Sequence, residues 1–88
     1  MGAKRNPGYH LAEITKQRAG SAEKIREELE EFEDALAQNC KLMALQELSD
    51  LVGAIQLYLQ AEHPNITLED LIIMSDITAR AFLSGARQ

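Results

Sequence analysis

Apolar residues recur at helical spacing through most of this chain. Ile25, Leu29, Phe32 and Leu36 advance in steps of four, three and four, the rhythm of a helix that buries one face. Gly20 breaks the chain before it, Ser21 is placed to cap it, and Asn39 can end it in a left-handed conformation, which predicts a helix from Ser21 to about Gln38. A further helix is predicted over about Lys41 to Glu62, with an ordinary core stripe of Leu45, Leu48, Val52, Ile55 and Leu59. After the His63-Pro64-Asn65 loop, the capping box Thr67-x-x-Asp70 opens a last helix that Gly85 ends, with Leu68, Leu71, Ile72, Ser75, Ala79 and Phe82 facing inward. A short helix over Tyr9 to Arg18, turning Leu11, Ala12 and Ile14 inward, brings the total to four. Residues 1–8 carry no apolar periodicity and are read as a flexible arm, leaving 9–88 as one all-α domain, a four-helix bundle.

The polar positions change this picture. Lys24, Glu28, Glu31 and Ala35 fall along one edge of the Ile25 stripe, so Glu28 and Glu31 border the core. On the next helix Met43, Glu47, Asp50, Ala54, Leu57 and Ala61 form a second, mostly apolar stripe that holds two acids. A helix apolar on two sides is sandwiched, either within one bundle or between subunits. The run from Glu27 to Glu33 would, alone, be read as a solvated face. Glu47 and Asp50 weigh against that reading, because unpartnered burial costs several kcal/mol or forces protonation. Cations near in sequence are few, chiefly Lys24, Arg26 and Lys41. A shared metal ion accounts for both pairs of acids, and all-oxygen ligands favour Mg²⁺, with Mn²⁺ as a substitute. His10 and His63 read as surface or loop residues and Cys40 as a small packing residue. Gly53, beside Asp50, suggests a close helix approach or room for a ligand.

Composition narrows the partners. The chain has 88 residues, 45% hydrophobic but only 5% aromatic, which suits a Leu/Ile/Ala-packed bundle too small to bury a large core alone. Its net charge of -5 disfavours a nucleic-acid polymer, while free nucleotides remain compatible with a bound cation. No apolar run approaches a membrane span and no signal peptide is evident, so the expected compartment is the cytoplasm.

The string Glu27-Glu28-Leu29-Glu30-Glu31, followed by Glu47-Leu48-Ser49-Asp50, resembles the EExxE…ExxD signature of the all-α nucleoside triphosphate pyrophosphohydrolases. The start at Gly20-Ser21-x-x-Lys24 is most similar to small MazG-like proteins. The resemblance implies Mg²⁺ bound by Glu28, Glu31, Glu47 and Asp50, and cleavage of a (d)NTP, dGTP among the candidates, to (d)NMP and pyrophosphate. It implies Glu27 or Glu31 as the catalytic group that orients or deprotonates water, with Lys24 and Arg80 as phosphate contacts, a homodimer or homotetramer, and a base pocket of unknown residues. Asp76 fits phosphate binding less comfortably than a basic residue would. The alternatives are a phosphoribosyl-ATP pyrophosphohydrolase and a non-enzymatic helical interaction module.

Overall fold

The computed structural model describes residues 10–85 and contains three helices and no strand among them: α1 (Ala22–Ala37), α2 (Lys41–Glu62) and α3 (Leu68–Ser84). The predicted punctuation is observed. The Ser21 hydroxyl accepts the Lys24 amide N–H at 3.1 Å, Asn39 adopts φ 58°, and Thr67 and Asp70 form a reciprocal capping box. Each such cap is worth about 1 kcal/mol to its helix. Gly85 closes α3 at φ 82°, and Gly20 turns the chain at φ 90° close against Ala61 and the Leu57 carbonyl.

The fourth helix, expected over Tyr9 to Arg18, is not observed. Tyr9 and the arm 1–8 lie outside the described residues, and 10–18 form a non-helical strap laid over α1. The strap is fastened through its backbone donors. Leu11 and Ala12 give their amide N–H groups to the Asp34 carboxylate at 2.7–2.9 Å, and Gln17 gives its own to Glu27 at 2.7 Å. Of these donors a helix over Tyr9 to Arg18 would use only the Gln17 N–H, which the buried Glu27 carboxylate takes; the Leu11 and Ala12 amides would lie in its first turn, where no intrahelical acceptor exists.

α1 and α2 fold back on each other across the short Gln38–Cys40 linker as a helical hairpin, while α3 touches α2 lightly and meets α1 only across a groove shared by Ile25, Leu71 and Met74. The radius of gyration is 15.6 Å. A compact chain of this length would have about 12 Å.

The inward faces differ from those expected. Of the expected α2 stripe Leu45, Leu48 and Val52 are 63%, 40% and 45% exposed, while Ile55 is half-buried and Leu59 buried; Ala44, Glu47 and Ala54 are buried as well. On α1, Leu29 and Leu36 point outward and Glu27, Glu28, Glu31, Asp34 and Ala35 point inward. α3 buries no residue: Ile72 and Phe82 are exposed, and its half-covered positions are Leu68, Leu71, Thr78 and Ala81. Alanines share the buried set with the acids, so much of the hairpin seam is polar, and of the α2 leucines only Leu59 is buried. Gly53 has nothing within 4 Å of where a Cβ would sit, so close helix contact is not what it serves in this chain.

Candidate metal centre

Among the described residues, acids outnumber apolar side chains in the buried set, five to four. The four apolar ones are Ala35, Ala44, Ala54 and Leu59; the acids are Glu27, Glu28, Glu31, Asp34 and Glu47. Helical spacing explains their convergence. Glu27, Glu31 and Asp34 follow one another by a turn along α1, Glu28 lies beside them, and Glu47 enters from the facing turn of α2.

The acids divide into two groups by what they touch. Asp34 and Glu27 are saturated. Besides the strap amides, Asp34 accepts the Gln38 side-chain amide at 2.8 Å, and Glu27 accepts Lys24 Nζ at 3.1 Å. Burial opposes their ionisation, but these donors outweigh it and hold both carboxyls below their ordinary range, with His10 assisting at Asp34.

Glu28 Oε1, Glu31 Oε2 and Glu47 Oε1 are buried without any hydrogen-bond partner. Burial, followed by the hydrogen-bonded Glu27 and the negative charge of Glu28 and Glu47, pushes Glu31 up to about 8. Orphaned carboxylate oxygens from two helices, aimed into one buried place, have the character of a hard-cation cradle. The donor set fits a divalent ion. Glu28, Glu47 and Asp50 bring ligand atoms within 4.8 Å of one another, as do Glu27, Glu28 and Glu31, and also His10, Glu31 and Glu47. Asp50 is exposed at the mouth, where it accepts the Gln46 side-chain amide at 3.1 Å.

The basic residues fall differently from expectation. Lys24 Nζ lies 3.1 Å from both Glu27 Oε2 and Glu28 Oε2, a double ion pair rather than a free cation. Burial works against its charge, but the two carboxylates raise its pKa overall. Arg80 sits on α3, which makes no close backbone contact with α1, and its Nε donates to the Asp76 carbonyl of its own helix at 3.4 Å. Lys16, which sequence reasoning passed over, comes in on the strap with its side chain 79% exposed and Nζ 3.7 Å from both Glu27 and Glu31. Asp34 was also missed, although it continues the Glu27–Glu31 face by one more turn. Tyr58 packs beside His63, with ring centres 5.7 Å apart, on an apolar groove of about 440 Å³ lined by α2, α3 and Ile25 of α1.

Residues 3–74 match the phosphoribosyl-ATP pyrophosphohydrolase family. The chain belongs to this family. Membership accords with the resemblance read from EExxE…ExxD, since the family shares the all-α fold of the MazG-related nucleotide pyrophosphohydrolases. The chain is therefore a hydrolase of the nucleotide pyrophosphohydrolase class, a generally metal-dependent one. No curated protein and no solved structure matches it. Among the described residues, no helix is long and apolar enough to cross a membrane.

Proposed function

We propose that the chain hydrolyses the α–β phosphoanhydride of a nucleoside triphosphate, releasing a nucleoside monophosphate and pyrophosphate, with Mg²⁺ held by Glu28, Glu31, Glu47 and Asp50. The observation that carries this reading is the set of three buried carboxylate oxygens on α1 and α2 that accept no hydrogen bond. When bound, the ion supplies charge neutralisation for phosphate oxygens and lowers the pKa of a water.

This chain's residues supply the rest. The water oxygen forms a bond to phosphorus as the bridging P–O bond breaks, pyrophosphate leaves with the electron pair, and a carboxylate takes the water's proton. Both Glu27 oxygens are engaged by Gln17 and Lys24, which favours Glu31 for that proton. Lys16 is better placed than Lys24 to receive a phosphate, because its ammonium is on the exposed rim. Arg80 can serve only if a second copy presents it. That requirement, with exposed Leu45, Leu48, Val52, Ile72, Ile77 and Phe82, supports a homodimer or homotetramer.

A second reading, in which phosphoribosyl-ATP is the substrate, is favoured by the family match and uses the same triphosphate chemistry. The test is pyrophosphate release from ribo- and deoxyribonucleoside triphosphates and from phosphoribosyl-ATP, with Mg²⁺, Mn²⁺ or EDTA, alongside Glu47→Gln. Metal-dependent release lost in Glu47→Gln is expected. Release that persists in that variant would remove the metal assignment.

A further inference from the structure

The strap brings a nitrogen ligand to a site that the sequence describes as all oxygen. His10 lies beside the acids, its Nε2 3.7 Å from Glu31 Oε1 and its Nδ1 3.8 Å from Asp34 Oδ1. Neither contact is short enough for a hydrogen bond, and Nδ1 is buried without a partner. One ring nitrogen of His10 and one carboxylate oxygen each from Glu31 and Glu47 lie within 4.8 Å of one another. Ligands held about 2.0–2.2 Å from one ion stand about 3–4.5 Å apart, so small side-chain adjustments close this shell.

Two further observations point to a ligand in this corner. Glu31 and Glu47 are each more than nine-tenths buried, and each carries a buried oxygen that accepts no hydrogen bond: Oε1 on Glu47, and on Glu31 Oε2, which faces Lys16 Nζ at 3.7 Å while Oε1 faces His10. Asp34, fixed by Leu11, Ala12 and Gln38, stands behind the imidazole on its Nδ1 side, where a carboxylate orients a ring whose Nε2 binds metal.

We propose that His10, Glu31 and Glu47 form a mixed nitrogen–oxygen site for a divalent first-row transition ion, distinct from the all-oxygen group of Glu28, Glu31, Glu47 and Asp50 and joined to it through the shared Glu31 and Glu47. Imidazole binds such ions in preference to Mg²⁺. The strap is then a ligand-bearing element, and the two positions discriminate between ions: Mg²⁺ suits the oxygen group, and Mn²⁺ or Co²⁺ the group that contains His10. The inference rests on the acids being a metal centre, as proposed above.

The experiment is metal binding by the full chain, without substrate. Metal-free protein is titrated with Mn²⁺ and with Co²⁺, reading ¹⁴N coupling to Mn²⁺ by pulsed electron paramagnetic resonance and the visible bands of Co²⁺. Wild type and His10→Gln are compared, with helix content checked by circular dichroism. Imidazole-nitrogen coupling in wild type that disappears in His10→Gln, with Mn²⁺ affinity lowered about 10- to 100-fold and Mg²⁺ affinity little changed, is expected. Mn²⁺ binding without nitrogen coupling, or coupling that survives His10→Gln, overturns the His10 site and leaves the carboxylate centre standing. An absence of binding by any of the three ions overturns both. If His10→Gln unfolds the chain, His10→Ala with added imidazole replaces it: coupling that imidazole restores supports the site, and coupling that stays absent counts against it.

Discussion

The seam between α1 and α2 and the outer faces of α2 and α3 reverse the usual distribution of polarity. The seam buries carboxylates among alanines, while Leu45, Leu48, Val52, Ile72 and Ile77 stand in the open. Neither region is stable by the ordinary logic of a monomer. Buried, repelling acids ask for a cation, and exposed leucines ask for a protein surface. Under the proposed function, stability and activity are delegated to two different additions, an ion within the hairpin and a second copy outside it.

The sharpest way to separate the two is to disable each alone. Glu47→Gln should reduce metal-dependent turnover about a thousandfold, because the ion's contribution is several kcal/mol, and EDTA should do the same to wild type. The melting temperature of metal-free Glu47→Gln should equal or exceed that of wild type, since a repelling charge is gone. A variant that retained turnover would show that the seam does not hold the catalytic ion. On the other face, Leu48→Glu should shift the chain toward monomer in light scattering, with the subunit dissociation constant raised at least about tenfold. An unchanged mass would mean that the leucine face is covered by something other than this chain.

Smaller effects distinguish the saturated acids from the orphaned ones. Asp34→Asn should cost about 2 kcal/mol by weakening charge-assisted bonds to the strap, and should speed tryptic cleavage at Lys16 and Arg18. Protection equal to that of wild type would mean that the strap is held elsewhere. The smallest effect is the pH slope of metal-free protein. Glu31 keeps its proton in the folded state up to about 8 but loses it near 4.5 when unfolded, so the native chain binds more protons between these values and stability should fall as pH rises through them. Asp34 and Glu27 act in the opposite sense: their lowered folded pKa values give stability that is present above 3.8 and 4.5 and lost in stronger acid. Urea midpoints in EDTA at pH 5, 6.5 and 8 should therefore decline, and Glu31→Gln should flatten the decline.

How far the sequence could be read depended on the kind of signal. Punctuation was legible: Ser21, Asn39, Thr67 with Asp70, and Gly85 act through local geometry, and each ends or begins a helix as expected. The acids Glu28, Glu31 and Glu47 were legible because helical spacing alone places them on shared faces. Which face of α2 turns inward was not. Two apolar stripes compete there: Leu59 of the richer one is buried as expected, but its Leu45, Leu48 and Val52 are exposed, while Glu47 and Ala54 of the other are buried. The strap was illegible for a different reason. Its fastening uses main-chain N–H groups, which every residue type except proline provides, so no residue pattern announces it.

That last feature sets how the strap tolerates change. Because Leu11, Ala12 and Gln17 are held through their amides, their side chains are free to drift while the path of the chain stays fixed. Conserving the strap's position therefore requires little conservation of its letters. Substitution at these three places should be broadly neutral except for proline, and natural variants would be recognised by an intact Asp34 and Glu27 rather than by any motif in the strap itself.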